Sequence, residues 1–213
     1  MKESFNLNSP WVQRFAMLTN LVMLNVLWLL CCIPVFTAGA ATSALYDTVF
    51  QYHTNRDDAI LRPFFRSFRN NFKQSTMLFL PLLAVLSLLG FDLVYLVFSG
   101  KGTSILFLLI IALMLVMGIL VHLFPLIARF EMSKKALLRT AFSLVLLHLP
   151  STITVIILTF LPVFLLVFYP SFFLRIGVAW AGIWFSGIAY FFGKFLLKIW
   201  AKHMPAEKWH PHT

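Results

Sequence analysis

Apolar positions in this chain gather into long unbroken runs rather than into stripes. Residues 15–35, 76–98, 104–128, 141–168 and 177–200 are each dominated by Leu, Phe, Ile, Val and Ala. Each run is long enough to cross a hydrocarbon core of about 30 Å, which takes about 20 helical residues. Between the first two lies "TAGAATSALYDTVFQYH", which is weaker in hydropathy and rich in small side chains. A third pattern occupies 61–75, "LRPFFRSFRNNFKQS". On a helical wheel, Leu61, Phe64, Phe65, Phe68 and Phe72 fall within about 100° of arc. Arg62, Arg66, Arg69 and Lys73 form a separate band about 60° wide. This predicts a basic amphipathic helix, with Pro63 suited to its first turn, leading directly into the apolar run at Thr76.

Charge placement decides how the weak segment is read. Lys and Arg concentrate in the short loops on the cytoplasmic side of a membrane protein. If residues 38–53 form a further span, and the N-terminus is inside, then 15 of the 17 basic residues fall on the cytoplasmic side, leaving only Lys101 and Arg175 outside. Five spans put two basic segments on the wrong side in either orientation. The expected architecture is therefore an all-α polytopic transmembrane helical bundle, a single integral membrane domain over 1–213. Its six spans lie at about 15–35, 38–53, 76–98, 104–128, 141–168 and 177–200. A short interfacial helix is expected at about 61–75 and a cytoplasmic tail at 201–213. The alternative is five spans plus a re-entrant or interfacial segment at 38–53. Both termini are expected in the cytoplasm, and the protein in the cell membrane.

Local chemistry supports a tight hairpin between the first two spans. Pro34 ends the first helix by withholding an amide and biasing Ile33 away from helical geometry. Thr37 and Gly39 complete the turn. Ala38, Gly39, Ala40, Ala41, Ser43 and Ala44 let helix backbones approach closely, which drives association in lipid, so this helix is expected to be surrounded by the others. Pro81, Pro125, Pro150 and Pro162 fall inside the later spans and are expected to kink them.

Composition narrows the function. The chain is 61% hydrophobic and 11% charged, against about 25% charged in soluble domains. A net charge of +10 alone would fit a nucleic-acid binder. However, the phenylalanines of 61–75 share one face that membrane attachment buries, whereas base stacking needs exposed rings. Nucleic acid is excluded on that ground. The bilayer, or a cytoplasmic partner, is the expected contact of Arg62, Phe64, Phe65, Arg66, Phe68, Arg69, Phe72 and Lys73. "AGA" at 38–40 resembles a signal-peptidase site, but the apolar run before it exceeds the 7–15 residues of a signal core. Cys31 and Cys32 are adjacent in an apolar run, where a structural disulfide is not expected.

The blocks "NVLWLLCCIPVFTAGAATSALYDTV" and "FFRSFRNNFKQS" resemble the YesL-like family of small polytopic membrane proteins, found mainly in Gram-positive bacteria. Asn25, Pro34, Thr37, Gly39, Ala44, Leu45 and Tyr46 carry the first match. Phe64, Phe65, Phe68, Asn71, Phe72, Lys73 and Gln74 carry the second, and "FPLIARFEMS" at 124–133 resembles a later family stretch. Ala40 departs from the proline expected after the glycine. The family has no assigned biochemical function. Its genes often adjoin carbohydrate uptake and degradation genes, so the resemblance implies an accessory role in sugar or glycan use.

Polar side chains inside spans are functional candidates by default, because a charge at the bilayer centre costs about 2.5–3.5 kcal/mol or more. Asn20, Asp47, His122 and His148 are expected at similar depth in four different helices, either as a shared polar layer opening to the cytoplasm or as separately satisfied contacts. Asn25 sits deeper and is expected to bridge helices. Asp92 is expected near the outer interface. No nucleophile motif, phosphate loop or metal-ligand spacing is present. The expectation is a non-enzymatic accessory or regulatory membrane protein in carbohydrate uptake or glycan utilisation, with no cofactor and no metal. Its expected partners are a sugar ABC transporter, a sensor kinase or a second copy of itself. The alternative is a small transporter or channel with its polar site in the cytoplasmic half of the bundle.

Overall fold

A computed structural model describes residues 10–55, 60–99 and 103–203. The expected tail at 201–213 lies almost wholly outside them, as do Lys2, Arg56, Lys101 and Lys208. Seven helices follow in order: α1 Pro10–Cys32, α2 Ala38–Asn55, α3 Leu61–Ser99, α4 Thr103–Arg129, α5 Lys134–Leu147, α6 Leu149–Phe168 and α7 Pro170–His203. Five contain stretches long and apolar enough to cross a membrane: Trp11–Cys32, Leu61–Ser99, Ile105–Arg129, Leu149–Phe168 and Gly182–Ala201.

The segment at 38–53 is helical, within α2, and is not among these five. Its environment explains its composition. Residues 39–50 are buried except for half-buried Thr42, enclosed by α3, α4, α7 and α1. A helix wrapped by other helices has no need of an apolar surface all round. It needs small residues where backbones meet. A Cβ on Gly39 would lie 2.8 Å from Phe79 Cβ, and a Cβ on Gly193 of α7 would lie 3.2 Å from both Phe50 and Val49. One turn from Gly39, Ser43 Oγ and Ser75 Oγ are 2.9 Å apart and join α2 to α3.

The turn before α2 is built by Pro34 and Thr37. Pro34 is extended (φ −77°, ψ 118°), and Val35–Thr37 forms one 3-10 turn. The Thr37 hydroxyl lies within hydrogen-bonding distance of the Pro34 carbonyl (2.6 Å) and the Cys31 carbonyl. It thereby ties the end of α1 to the start of α2.

Two expected boundaries are corrected. Residues 61–75 do not form a separate interfacial helix; they are the beginning of α3, a single helix of 39 residues, about 58 Å long at 1.5 Å per residue. The expected span 141–168 is divided at His148, whose backbone (φ −125°, ψ 40°) leaves the helical region. Pro150 is the cause. It has no N–H to carry the α5 ladder onward, but in the first turn of α6 none is required. The His148 carbonyl accepts the Thr152 amide (3.0 Å) and the Ser151 and Thr152 hydroxyls (2.9 and 3.0 Å), which starts α6. Helix α5 is capped by Ser133 and buries Leu137, Ala141, Leu144 and Val145.

The core sits toward the end of the bundle where α2 and α7 finish and α3 begins. Trp200 is fully buried there, edge-on to Phe50 and Phe130 with centroids 5.6 and 5.0 Å away. Toward the other end, Phe91, Phe98, Phe107 and Val167 are exposed, as suits helices that face lipid. Asp92 is exposed on α3. Asn25 is fully buried and joins α1 to α7, its Oδ1 accepting the Ser186 amide at 2.8 Å. Asn25→Leu is expected to cost about 1 kcal/mol, within the measured range for polar contacts between membrane helices. A denaturant titration in detergent reads this; a change below a few tenths of a kcal/mol would show the bond to be incidental.

Candidate functional site

The polar side chains on the inward faces of α2, α4 and α6 form two separate centres. The first joins α2 to the end of α4. Asp47 is 3% exposed and Arg129 is 7% exposed, and Asp47 lies close enough to Arg129 for their charges to interact. Arg129 closes α4, where a cation also suits the negative end of the helix dipole. The chain then passes through Phe130, whose amide still bonds the Leu126 carbonyl at 2.9 Å.

The second centre lies between α4 and α6. His122 is 1% exposed, and its Nε2 is 2.8 Å from Thr152 Oγ1. The Thr152 hydroxyl has one proton, and it points to the His148 carbonyl at 3.0 Å. The hydroxyl is therefore the acceptor toward His122, which fixes the neutral ring as the Nε2–H tautomer. The result is a directed chain from His122 Nε2–H to Thr152 O–H to the His148 carbonyl. Nδ1 of His122 is left as a buried lone pair with no hydrogen-bond partner among the described residues. The His148 ring meets Phe195 edge-on at 6.3 Å and lies near His122.

Of the four residues expected to share a polar layer, His122 and His148 come together. Asp47 pairs with Arg129. Asn20 is half-buried and lines a cavity of about 10 Å³ with Thr48, Tyr52 and Tyr190, room for one water at most. Sequence reasoning missed Arg129 and Thr152. Arg129 was visible, since it lies seven residues after His122 and so on the same face of one helix. Thr152 had no such signal, because its role depends on the break at His148.

Above these centres, Trp28, Thr42, Tyr46, Phe124, Thr159 and Phe185 are among the residues around a cavity of about 210 Å³. Trp28 Nε1–H donates to Thr42 Oγ1 at 3.1 Å on its wall. No group of three or more His, Cys, Asp or Glu suited to a metal ion occurs among the described residues.

The phenylalanine face of 61–75 was expected to lie against the bilayer or a cytoplasmic partner. Instead Phe64 is fully buried in the protein's own core, with Phe68 and Phe72 half-buried beside it and Phe65 half-exposed. The rings run on from one another, Phe64 to Phe68 at 6.4 Å and Phe68 to Phe72 at 5.7 Å. Gln74 Nε2 donates to the Met132 carbonyl at 3.1 Å and holds this stretch against the α4–α5 connection. Arg62, Arg66, Arg69 and Lys73 of α3 are all exposed, together with Leu61, Phe65 and Asn70.

Residues 21–93 match the family model described as "Protein of unknown function, DUF624". The match takes in most of α1, the Pro34–Thr37 turn, α2 and most of α3, hence Asn25, Gly39, Asp47 and the basic row. It leaves out His122, Arg129, His148 and Thr152. The chain is also similar to "Uncharacterized protein YteU" of Bacillus subtilis (strain 168), 28% identical over 171 residues that cover 76% of this chain and 72% of YteU. No solved structure matches.

Proposed function

We propose that this is a six-span membrane protein with both termini in the cytoplasm, acting without enzymatic chemistry as an accessory or regulatory partner in carbohydrate uptake or glycan utilisation. The observation that carries the proposal is the continuity of α3. The apolar part, residues 76–98, fills a hydrocarbon core. The preceding 15 residues then extend about 22 Å further, past a headgroup layer about 5–8 Å deep. With Phe64 sunk into the core and Phe68 and Phe72 half-buried, this projecting end offers a row of four exposed cations, with Leu61 and Phe65 as the exposed apolar side chains beside it. At about 1.5 Å per residue Lys73 stands at headgroup level, while Arg69, Arg66 and Arg62 stand progressively beyond it, where an acidic protein surface is the fitting contact. The carbohydrate setting rests on the YesL-like resemblance of 25–49 and 64–75. The buried polar groups favour a structural reading, since each centre is enclosed by its own partners.

The test is co-purification of the tagged full-length chain in mild detergent. Wild type is expected to bring down a sugar ABC-transporter subunit or a sensor kinase in stoichiometric amount. Glutamine at Arg62, Arg66, Arg69 and Lys73 together is expected to reduce that recovery roughly tenfold, from about 1.4 kcal/mol of lost contact, while a fusion reporter shows unchanged orientation. Undiminished capture by the quadruple variant sinks the proposed role of α3. The second reading, a small transporter or channel, draws support from the buried His122 Nδ1 lone pair and from the 210 Å³ cavity, whose wall includes the neighbouring Val121 and Phe124 of α4. Solute flux by the purified protein alone in liposomes would establish it instead.

A further inference from the structure

A second, larger hollow opens sideways between α1 and α6, with α7 as its floor. Its volume is about 620 Å³, within the range of about 300–1,000 Å³ typical of ligand sites. Trp184, Gly187, Phe191 and Phe195 of α7 lie along the floor, with Leu18 of α1 and Thr154 of α6 at the rims. Leu18, Thr154, Phe191 and Phe195 are exposed, so the hollow is open to the surroundings. Gly187 is what makes it deep: a Cβ built there meets nothing within 4 Å. In a bilayer such a surface is filled by hydrocarbon.

Length and charge narrow the occupant. The floor, residues 184–195, runs about 16 Å, close to one leaflet's half of a core about 30 Å thick. By helical register, two basic side chains follow beyond one end of it. Lys198 lies seven residues after Phe191 and Arg14 lies seven before Leu21, so both stand on the helix faces that line the groove. Both are exposed. Arg14 carries its guanidinium 5.6 Å over the ring of exposed Trp11, and tryptophan marks the membrane–water interface. No acidic residue is found on α1, α6 or α7 among the described residues. We propose that this groove holds one acyl chain of an anionic phospholipid, with the headgroup phosphate at Arg14 and Lys198. An apolar slot one leaflet long that ends in two cations is complementary to a charged lipid rather than to a neutral one.

Native mass spectrometry of the full-length protein tests this. The purified protein is offered phosphatidylglycerol or phosphatidylcholine with identical acyl chains. Wild type is expected to retain one phosphatidylglycerol, with a preference of roughly tenfold over phosphatidylcholine, since both cations attract the anionic headgroup. Gly187→Leu fills the floor and is expected to abolish retention while leaving the melting temperature in lipid-free detergent unchanged. Gly90→Leu, at a glycine on α3 with equally open space, is expected to retain lipid as wild type does. The double variant Arg14→Gln/Lys198→Gln is expected to bind both lipids equally, and this comparison decides the question alone if Gly187→Leu does not fold. Equal retention of the two lipids by wild type overturns the proposal. So does lipid retention by a folded Gly187→Leu, or a dimer mass lost on Gly187→Leu with no lipid counted, which would assign the groove to a second copy.

Discussion

Asp47→Leu is expected to destabilise the bundle by about 3–5 kcal/mol, enough to remove most folded protein from a detergent extract. The reason lies in what remains. Arg129 stays 7% exposed at the end of α4 and, unlike most side chains, has no accessible neutral form. A long arginine at a helix end often escapes by extending its head to the interface, but the burial of this one shows that it does not. Arg129→Leu is expected to cost less, because a carboxyl group left alone has a neutral form to adopt. The double variant Asp47→Leu/Arg129→Leu is expected to be more stable than Asp47→Leu, since replacing both members of a buried charge pair with apolar groups is often neutral. Fluorescence-detected size exclusion and a denaturant titration on the four proteins complete the cycle. Simple additivity of the two single losses would show that the charges do not depend on each other.

This centre also marks how far the sequence can be read. Asp47 is legible as a candidate because a carboxylate in an apolar surrounding is conspicuous. Its partner is legible only from its spacing, seven residues after His122, and the rule that assigns basic residues to loops passes it over, counting Arg129 once as topology and never asking what it touches. The five apolar helices are legible because bilayer thickness imposes their length. The enclosed α2 is legible by a different signal, its run of small residues, although hydropathy passes it over.

Two boundaries are misread for opposite reasons. Residues 61–75 and 76–98 differ in pattern, amphipathic then uniformly apolar, and a change of pattern invites a break. The backbone has no cause for one, as "FKQST" contains neither Gly nor Pro, and α3 runs through. At 141–168 the pattern is uniform and invites a single helix, but Pro150 withholds the amide that would continue it, and the chain turns at His148. Local hydrogen-bond supply sets the boundaries, whereas hydropathy sets only the environment. The site inherits this error, because Thr152 reaches His122 only from a helix that restarts at that point.

The same distinction between environment and contact governs Gly39, where the second large effect is expected. Gly39→Ala adds one methyl group, and helix propensity alone would favour it by about 1 kcal/mol. The added Cβ would sit 2.8 Å from Phe79 Cβ and 3.2 Å from Phe124 Cε1. A Cβ cannot swing aside by rotamer change, so α2 and α3 must separate. Separation also stretches the 2.9 Å contact between Ser43 and Ser75 one turn away. Overpacking of this kind costs about 1–3 kcal/mol, and the serine contact adds up to about 1 kcal/mol. Crowding therefore wins over propensity, and Gly39→Ala is expected to lose about 2 kcal/mol net, with larger residues losing the fold. Phe79→Ala is not expected to rescue it, because alanine keeps the Cβ that collides. Gly90→Ala on α3, with open space around it, is expected to gain stability from propensity alone. Thermal denaturation of the three variants in one detergent gives the ordering. If Gly39→Ala melts above wild type as Gly90→Ala does, the α2–α3 contact is looser than its 2.8 Å approach implies, and the small-residue stripe would owe its presence to something other than close packing.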